Sequence, residues 1–91
     1  MVNDLINYIN GDWEKTSKSK IPLYDAGFLL GDGLFETIRF ENRQIFRCEK
    51  HLDRLFSSLK LIRINCNKSK SEINLLLKEI INKNSLKNGL L

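Results

Sequence analysis

The sequence predicts an α+β domain, a small and mostly antiparallel sheet with two helices packed on one face. Three observations carry that reading. An Asn10-Gly11 pair stands between Tyr8-Ile9 and Asp12-Trp13, and β-branched and aromatic residues fill 34–40 and 44–47, the pattern of two hairpins. Apolar residues then recur at helical spacing over 49–62 and again after Ser69, which marks two amphipathic helices. Ninety-one residues fit one small domain, and 42% hydrophobic content supplies a modest core.

In the first hairpin, Asn10 and Gly11 both accept the positive φ of a type I′ turn. The polar stretch 14–20 reads as loop, and Ile21-Pro22-Leu23-Tyr24 as an extended piece, because proline pushes its predecessor away from helical conformations. Gly27, Gly31 and Gly33 punctuate the lead into the next strand and permit tight turns. Taken alone, Gly31-Asp32-Gly33 is an ordinary turn.

Along 34–40 the side chains alternate across the strand, so Phe35, Thr37 and Arg39 face one side while Leu34, Glu36, Ile38 and Phe40 face the other. The mostly apolar second set packs on the helices. The first set, an aromatic ring, a hydroxyl and a cation, suits a cleft. Glu41-Asn42-Arg43 turns the chain into the strand 44–47.

Leu52, Leu55, Phe56, Leu59 and Ile62 form the apolar face of the first helix, and His51, Arg54 and Ser58 form a polar stripe away from Leu52 and Phe56. Ser69-Lys70-Ser71-Glu72 fits a capping box, after which Ile73, Leu76, Leu77, Ile80 and Ile81 repeat on one face. This second helix should stop by Asn88-Gly89. Leu90 and Leu91 then look like the first residues of another strand, which makes the chain look cut.

Several classes of function are set aside by composition. Apolar runs such as Leu75 to Leu77 are far shorter than the ~20 residues of a membrane-spanning helix. The first residues lack a cationic leader followed by an apolar block, so the cytoplasm is the expected compartment. Cys48 and Cys66, with no Cys-x-x-Cys pair and His51 as the single histidine, offer neither a disulfide framework nor a metal site. Fifteen Lys and Arg against eleven Asp and Glu give a net charge of +4. The cations are scattered and lack aromatic-studded basic strands, so a small phosphate ligand suits them better than nucleic acid.

Asp25-Ala26-Gly27-Phe28-Leu29-Leu30-Gly31-Asp32-Gly33-Leu34-Phe35-Glu36-Thr37-Ile38-Arg39, followed by His51-Leu52-Asp53-Arg54-Leu55, resembles the N-terminal domain of the class IV aminotransferases, the fold-type IV pyridoxal-phosphate enzymes. That family includes branched-chain aminotransferases, D-amino-acid aminotransferases and aminodeoxychorismate lyases. The ordered set of motifs covers essentially the whole chain, from the Asn-Gly hairpin to the connection at 84–89.

The resemblance implies that Arg54 binds the phosphate of pyridoxal 5′-phosphate, and a guanidinium, a planar fork of donors, suits that group. It implies a supporting role for His51. Phe35 matches a position that lines the substrate side of the cofactor pocket, where D-amino-acid aminotransferases characteristically carry Tyr, which weighs against a D-amino acid. Arg39 resembles a contact to the substrate carboxylate in some relatives, and Thr37 completes its face. For Glu36, on the opposite face, a hydrogen-bonding structural role near the glycine turns is expected rather than acid–base work.

Transamination also needs a Schiff-base lysine and a carboxylate at the pyridine nitrogen, which in the family come from a second, larger domain. The lysines here lie in polar loops or on helix surfaces, so no catalytic residue is assigned in this chain. Residues 1–91 are expected to be the N-terminal small domain of a two-domain enzyme, with the C-terminal catalytic domain absent and the piece inactive alone. The parent is expected to be a homodimer that exchanges an amino group between an amino acid, branched-chain-like, and a 2-oxo acid. The alternatives are an aminodeoxychorismate lyase, which eliminates pyruvate to give p-aminobenzoate, and a non-catalytic module that binds an anion or a partner.

Overall fold

The computed structural model describes residues 4–91, in two compact units: one ends at Gly33 and the other spans Leu34–Leu91.

The first unit is built on a hairpin. Strands β1 (Ile6–Ile9) and β2 (Asp12–Lys15) pair antiparallel with Ile9 opposite Asp12, so Asn10 and Gly11 alone make the turn. Their φ values of 51° and 91° are those the type I′ turn demands and other residues resist. Tyr8 lies opposite Trp13, and their rings meet edge to face with centroids 4.9 Å apart.

The stretch expected as loop from 14 is partly ordered. β2 runs to Lys15, and Thr16–Lys18 form a 3₁₀ turn tied down by the Asp4 carboxylate, which accepts from the Ser17 N–H (2.9 Å) and hydroxyl (2.7 Å). The glycine-rich lead is also more regular than a plain turn. Ala26–Leu30 form a short helix, α1, whose first turn is capped by Asp25 accepting from Phe28 N–H at 3.0 Å. Gly31, with φ 66°, ends it in the left-handed conformation.

In the second unit, β3 (Arg39–Glu41), β4 (Gln44–Ile45) and β5 (Gly89–Leu90) form an antiparallel sheet in the order β4-β3-β5. The strands therefore make two small sheets rather than one. The strand expected from Leu90 does form, but it opens one residue earlier, at Gly89. Pairing continues past β5, because Ile38 and Leu91 exchange backbone hydrogen bonds of 3.0 and 2.8 Å. The strand expected over 34–40 is thus regular only toward its end: among the described residues no strand lies beside 34–37 to complete a ladder. The strand expected over 44–47 stops at Ile45 because Arg47, at φ 52°, already opens the following helix.

Helix α2 spans Cys48–Leu61 and α3 spans Lys70–Asn84, each within a residue of its expected start. The capping box of α3 is complete: Glu72 N–H donates to Ser69 Oγ (3.1 Å) and Ser69 N–H to the Glu72 carboxylate (3.0 Å). The helix stops at Asn84, ahead of Asn88-Gly89, because Ser85 turns left-handed at φ 52°. Lys87 and Asn88 are committed to the β3–β4 turn instead. Lys87 C=O accepts from Arg43 N–H (2.8 Å), and the Asn88 side chain accepts from Asn42 N–H (3.0 Å).

Ile38 and Phe40 from the segment of β3, Leu52 from α2 and Ile81 from α3 are the buried apolar side chains among the described residues. Alternate residues of a strand buried together with one residue from each helix is the signature of helices covering one sheet face. Phe35, Thr37 and Arg39 are exposed, as the alternation requires. Gly89 lies opposite Phe40 with the ring close over its backbone, so that a Cβ there would stand 2.9 Å from Phe40 Cζ. Gly89→Ala should therefore destabilise the chain by about 1–3 kcal/mol through overpacking against a ring with nowhere to retreat. The urea midpoint checks this, and an unchanged midpoint would show that Phe40 has room to move.

Candidate functional site

The alternation that buries Ile38 and Phe40 also turns Glu36 inward, and the helical repeat of α2 brings His51 and Arg54 to meet it. Arg54 grips the carboxylate with two parallel bonds, Nε to Oε2 at 2.8 Å and Nη2 to Oε1 at 2.6 Å, and His51 Nδ1 lies 2.7 Å from Oε1. The Glu36 side chain is only 10% exposed, whereas that of Arg54 is 68% exposed. One edge of the guanidinium is held from within while the other faces solvent.

The bonds from Arg54, then those from His51, outweigh the effect of enclosure and hold the Glu36 carboxyl down at about 2. In return, the Arg54 guanidinium is pushed further up by its bond to Glu36. An ionised Glu36 can only accept, so the hydrogen between it and His51 sits on Nδ1. His51 is thereby a satisfied, part-buried side chain with its other ring nitrogen left over.

Arg47, Lys50, His51 and Arg54 line a concave cavity of about 300 Å³. Their spacing of three, one and three residues places all four on one stripe of the helix start, and the positive end of the helix dipole adds to their charge. Arg54 carries five donors, of which Glu36 engages two, so the remainder, with Lys50 and Arg47 beside them, suit an anion with several acceptor oxygens. Arg47 also stacks on Phe46, its guanidinium carbon 5.2 Å from the ring centre.

The other sequence-derived candidates lie on the opposite face of the same segment. Phe35 is 87% exposed; Thr37 is exposed; and Arg39 pairs with Glu41. Arg39 and Glu41 line a second cavity of about 550 Å³ with Phe46 and Arg47, so Arg47 borders both concavities, whereas Phe35 and Thr37 border neither. A larger cavity of about 640 Å³, lined by Cys48, Leu52, Asn74, Lys78 and Ile81 among others, opens on another side of α2 and holds none of the candidates. There Cys48 donates to Asn74 at 3.2 Å and burial pushes its thiol up, the behaviour of a structural cysteine.

The sequence did not single out Arg47 or Lys50, although their spacing from Arg54 was there to be found. It placed Glu36 on the correct face but near the glycine turns rather than on Arg54. Parity gives a face and not the partner across it.

A family model described as amino-transferase class IV matches residues 33–91. The chain belongs to the class IV aminotransferases. A Methanocaldococcus jannaschii protein named as a branched-chain-amino-acid aminotransferase is 33% identical over 82 residues, which is 90% of this chain and 28% of that protein. A Staphylococcus aureus D-alanine aminotransferase is 29% identical over 84 residues, 92% of this chain and 30% of its own length.

Among solved structures, the branched-chain amino acid aminotransferase of Escherichia coli superposes with a TM-score of 0.86 at 26% identity, over 96% of this chain and 30% of the other. That of Thermoproteus uzoniensis gives 0.84 at 22% identity, over 93% of this chain and 30% of the other, a likeness of fold. The chain thus spans less than a third of the length of these aminotransferases.

The Glu36 cluster gives stability a signed dependence on acid. A carboxyl at about 2 in the folded chain and 4.5 in its ordinary state stabilises fully above pH 4.5, and the contribution is lost as pH falls toward 2. Thermal melts from pH 6 to pH 2 should show Glu36→Gln falling less steeply than the parent through that window. Parallel curves would place the carboxylate in bulk-like surroundings.

Proposed function

We propose that this chain is the N-terminal small domain of a two-domain class IV aminotransferase dependent on pyridoxal 5′-phosphate, and that Arg54 holds the cofactor phosphate. The observation that carries the proposal is the Arg54 guanidinium, fixed on its inner edge by Glu36 and open on its outer edge to a cavity lined by Arg47, Lys50 and His51. A phosphate dianion needs several converging donors and a positive local potential. These side chains supply both.

When bound, the cofactor supplies an electron sink that stabilises the charge left on breaking a bond at the substrate Cα. This chain's part is binding and orientation. Arg54 fixes one end of the cofactor, and the exposed face of Phe35, Thr37 and Arg39 forms one wall of the substrate pocket, with the Phe35 ring excluding water and Arg39 facing the substrate carboxylate. The pairing of Arg39 with Glu41 keeps that cation extended along the strand. The Schiff-base lysine and the carboxylate at the pyridine nitrogen then belong to a second domain, and the chain alone has no turnover.

Relatives that span about three times this length support that division. Amino-group exchange between a branched-chain-like amino acid and a 2-oxo acid is the favoured activity, supported by relatives named for transamination and by Phe35. We further place the enzyme in the cytoplasm as a homodimer; no helix among the described residues is long and apolar enough to cross a membrane.

The test is made in the protein encoded by the whole reading frame, which should continue past Leu91 into a domain with a strand-borne lysine and a downstream glutamate. Arg54→Ala should weaken retention of pyridoxal 5′-phosphate by roughly 10- to 100-fold, the scale expected for losing charge-assisted hydrogen bonds to an anion. Arg54→Lys should lose less, since it keeps the charge without the fork. Titration of the apoprotein with cofactor measures both, and unchanged affinity in Arg54→Ala would remove the phosphate assignment. Assays with branched-chain L-amino acids, D-alanine and aminodeoxychorismate separate the activities, and pyruvate elimination without amino transfer would replace transamination by the lyase reaction.

A further inference from the structure

We propose that Glu36 is the positioning residue of the anion site: it locks the Arg54 guanidinium so that its free donors point at the phosphate, and it acts through Arg54 and not by touching the ligand. The inference rests on the phosphate reading of Arg54 and deepens it.

A carboxylate near an anion site is at first sight a liability, because its charge opposes the ligand. Geometry resolves the conflict. Glu36 takes the Nε and one Nη2 hydrogen of Arg54, at 2.8 and 2.6 Å, which leaves the two Nη1 hydrogens and the second Nη2 hydrogen on the opposite edge. A bidentate clamp fixes both the plane and the rotation of the guanidinium, and so removes much of the rotamer freedom that a free arginine would lose on binding. His51 bonds the same carboxylate at 2.7 Å and holds it in place from a second direction.

Exposure places the roles in order. Glu36, 10% exposed, does not line the cavity, whereas Arg54, 68% exposed, does. The carboxylate sits behind the guanidinium, and its charge is neutralised by the partner it orients. Arg47, also on the cavity wall, leans on the Phe46 ring, whereas among the cavity-wall cations Arg54 is the one held by a two-bond carboxylate clamp among the described residues.

A double-mutant cycle on the whole protein tests this, reading the dissociation constant of the apoprotein for pyridoxal 5′-phosphate and for pyridoxal, which lacks the phosphate. Glu36→Ala should weaken the phosphate ester roughly tenfold or more, the scale of losing a preset charged contact, and leave pyridoxal nearly unchanged. Removing a negative charge without any positioning role would instead tighten the phosphate ester. Glu36→Ala added to Arg54→Ala should cost nothing further, because the residue acts through Arg54.

Glu36→Gln, which keeps the shape and one acceptor, should fall between Glu36→Ala and the parent, and it carries the test if Glu36→Ala does not fold. Equal losses for pyridoxal and its phosphate, or losses that add in the double variant, would overturn positioning in favour of general structural support. Normal affinity in Glu36→Ala or Glu36→Gln, with Arg54→Ala still weak, would overturn positioning and leave the phosphate anchor standing. Normal affinity in Arg54→Ala would overturn both.

Discussion

A strand can offer only every second side chain to the layer above it, and in the segment 34–41 that constraint does two things at once. The face that presents Ile38 and Phe40 to the core necessarily presents Glu36 as well, two residues earlier. A carboxylate turned inward must find donors or be expelled. It finds them in Arg54 and His51 of α2, so the residue that could have spoiled the packing face becomes the fixed point of a cation-lined site.

The same alternation separates the two faces of the segment. Phe35, Thr37 and Arg39 stay on the open face, away from the Glu36 cluster. A slip of one residue in register would exchange the faces and lose the core and the Glu36 cluster together. Register is therefore guarded from several sides: by the exchange of hydrogen bonds between Ile38 and Leu91, by Gly89 beneath the Phe40 ring, and by the bonds from Arg43 and Asn42 to residues 87 and 88. The early end of α3 at Ser85 follows from that last need, since residues held against a turn cannot also continue a helix.

Helix α2 shows how one element packs on one side and gathers cations on another. With 3.6 residues per turn, Leu52 goes to the core while Arg47, Lys50, His51 and Arg54 share another side. Their charge gathers near the helix start, where the backbone dipole is positive, an arrangement that costs electrostatic repulsion and that Glu36 partly offsets.

Local rules fixed in advance what local physics governs. The Asn10-Gly11 turn, the capping box at Ser69, the starts of both long helices and the alternation over 35–40 follow from backbone preference and periodicity, which involve only near neighbours along the chain, whereas Leu34, expected on the packed face, is exposed because no strand pairs with the start of the segment among the described residues. Family likeness in Gly31-Asp32-Gly33 and His51-Leu52-Asp53-Arg54 pointed to Arg54. Only the folded chain decided that 34–37 would find no strand partner among the described residues, that Gly27 and its neighbours would close into a short capped helix, and that Glu36 would meet Arg54 across eighteen positions of sequence. Such pairings depend on where distant segments come to lie, and periodicity, which gives direction without distance, does not contain them.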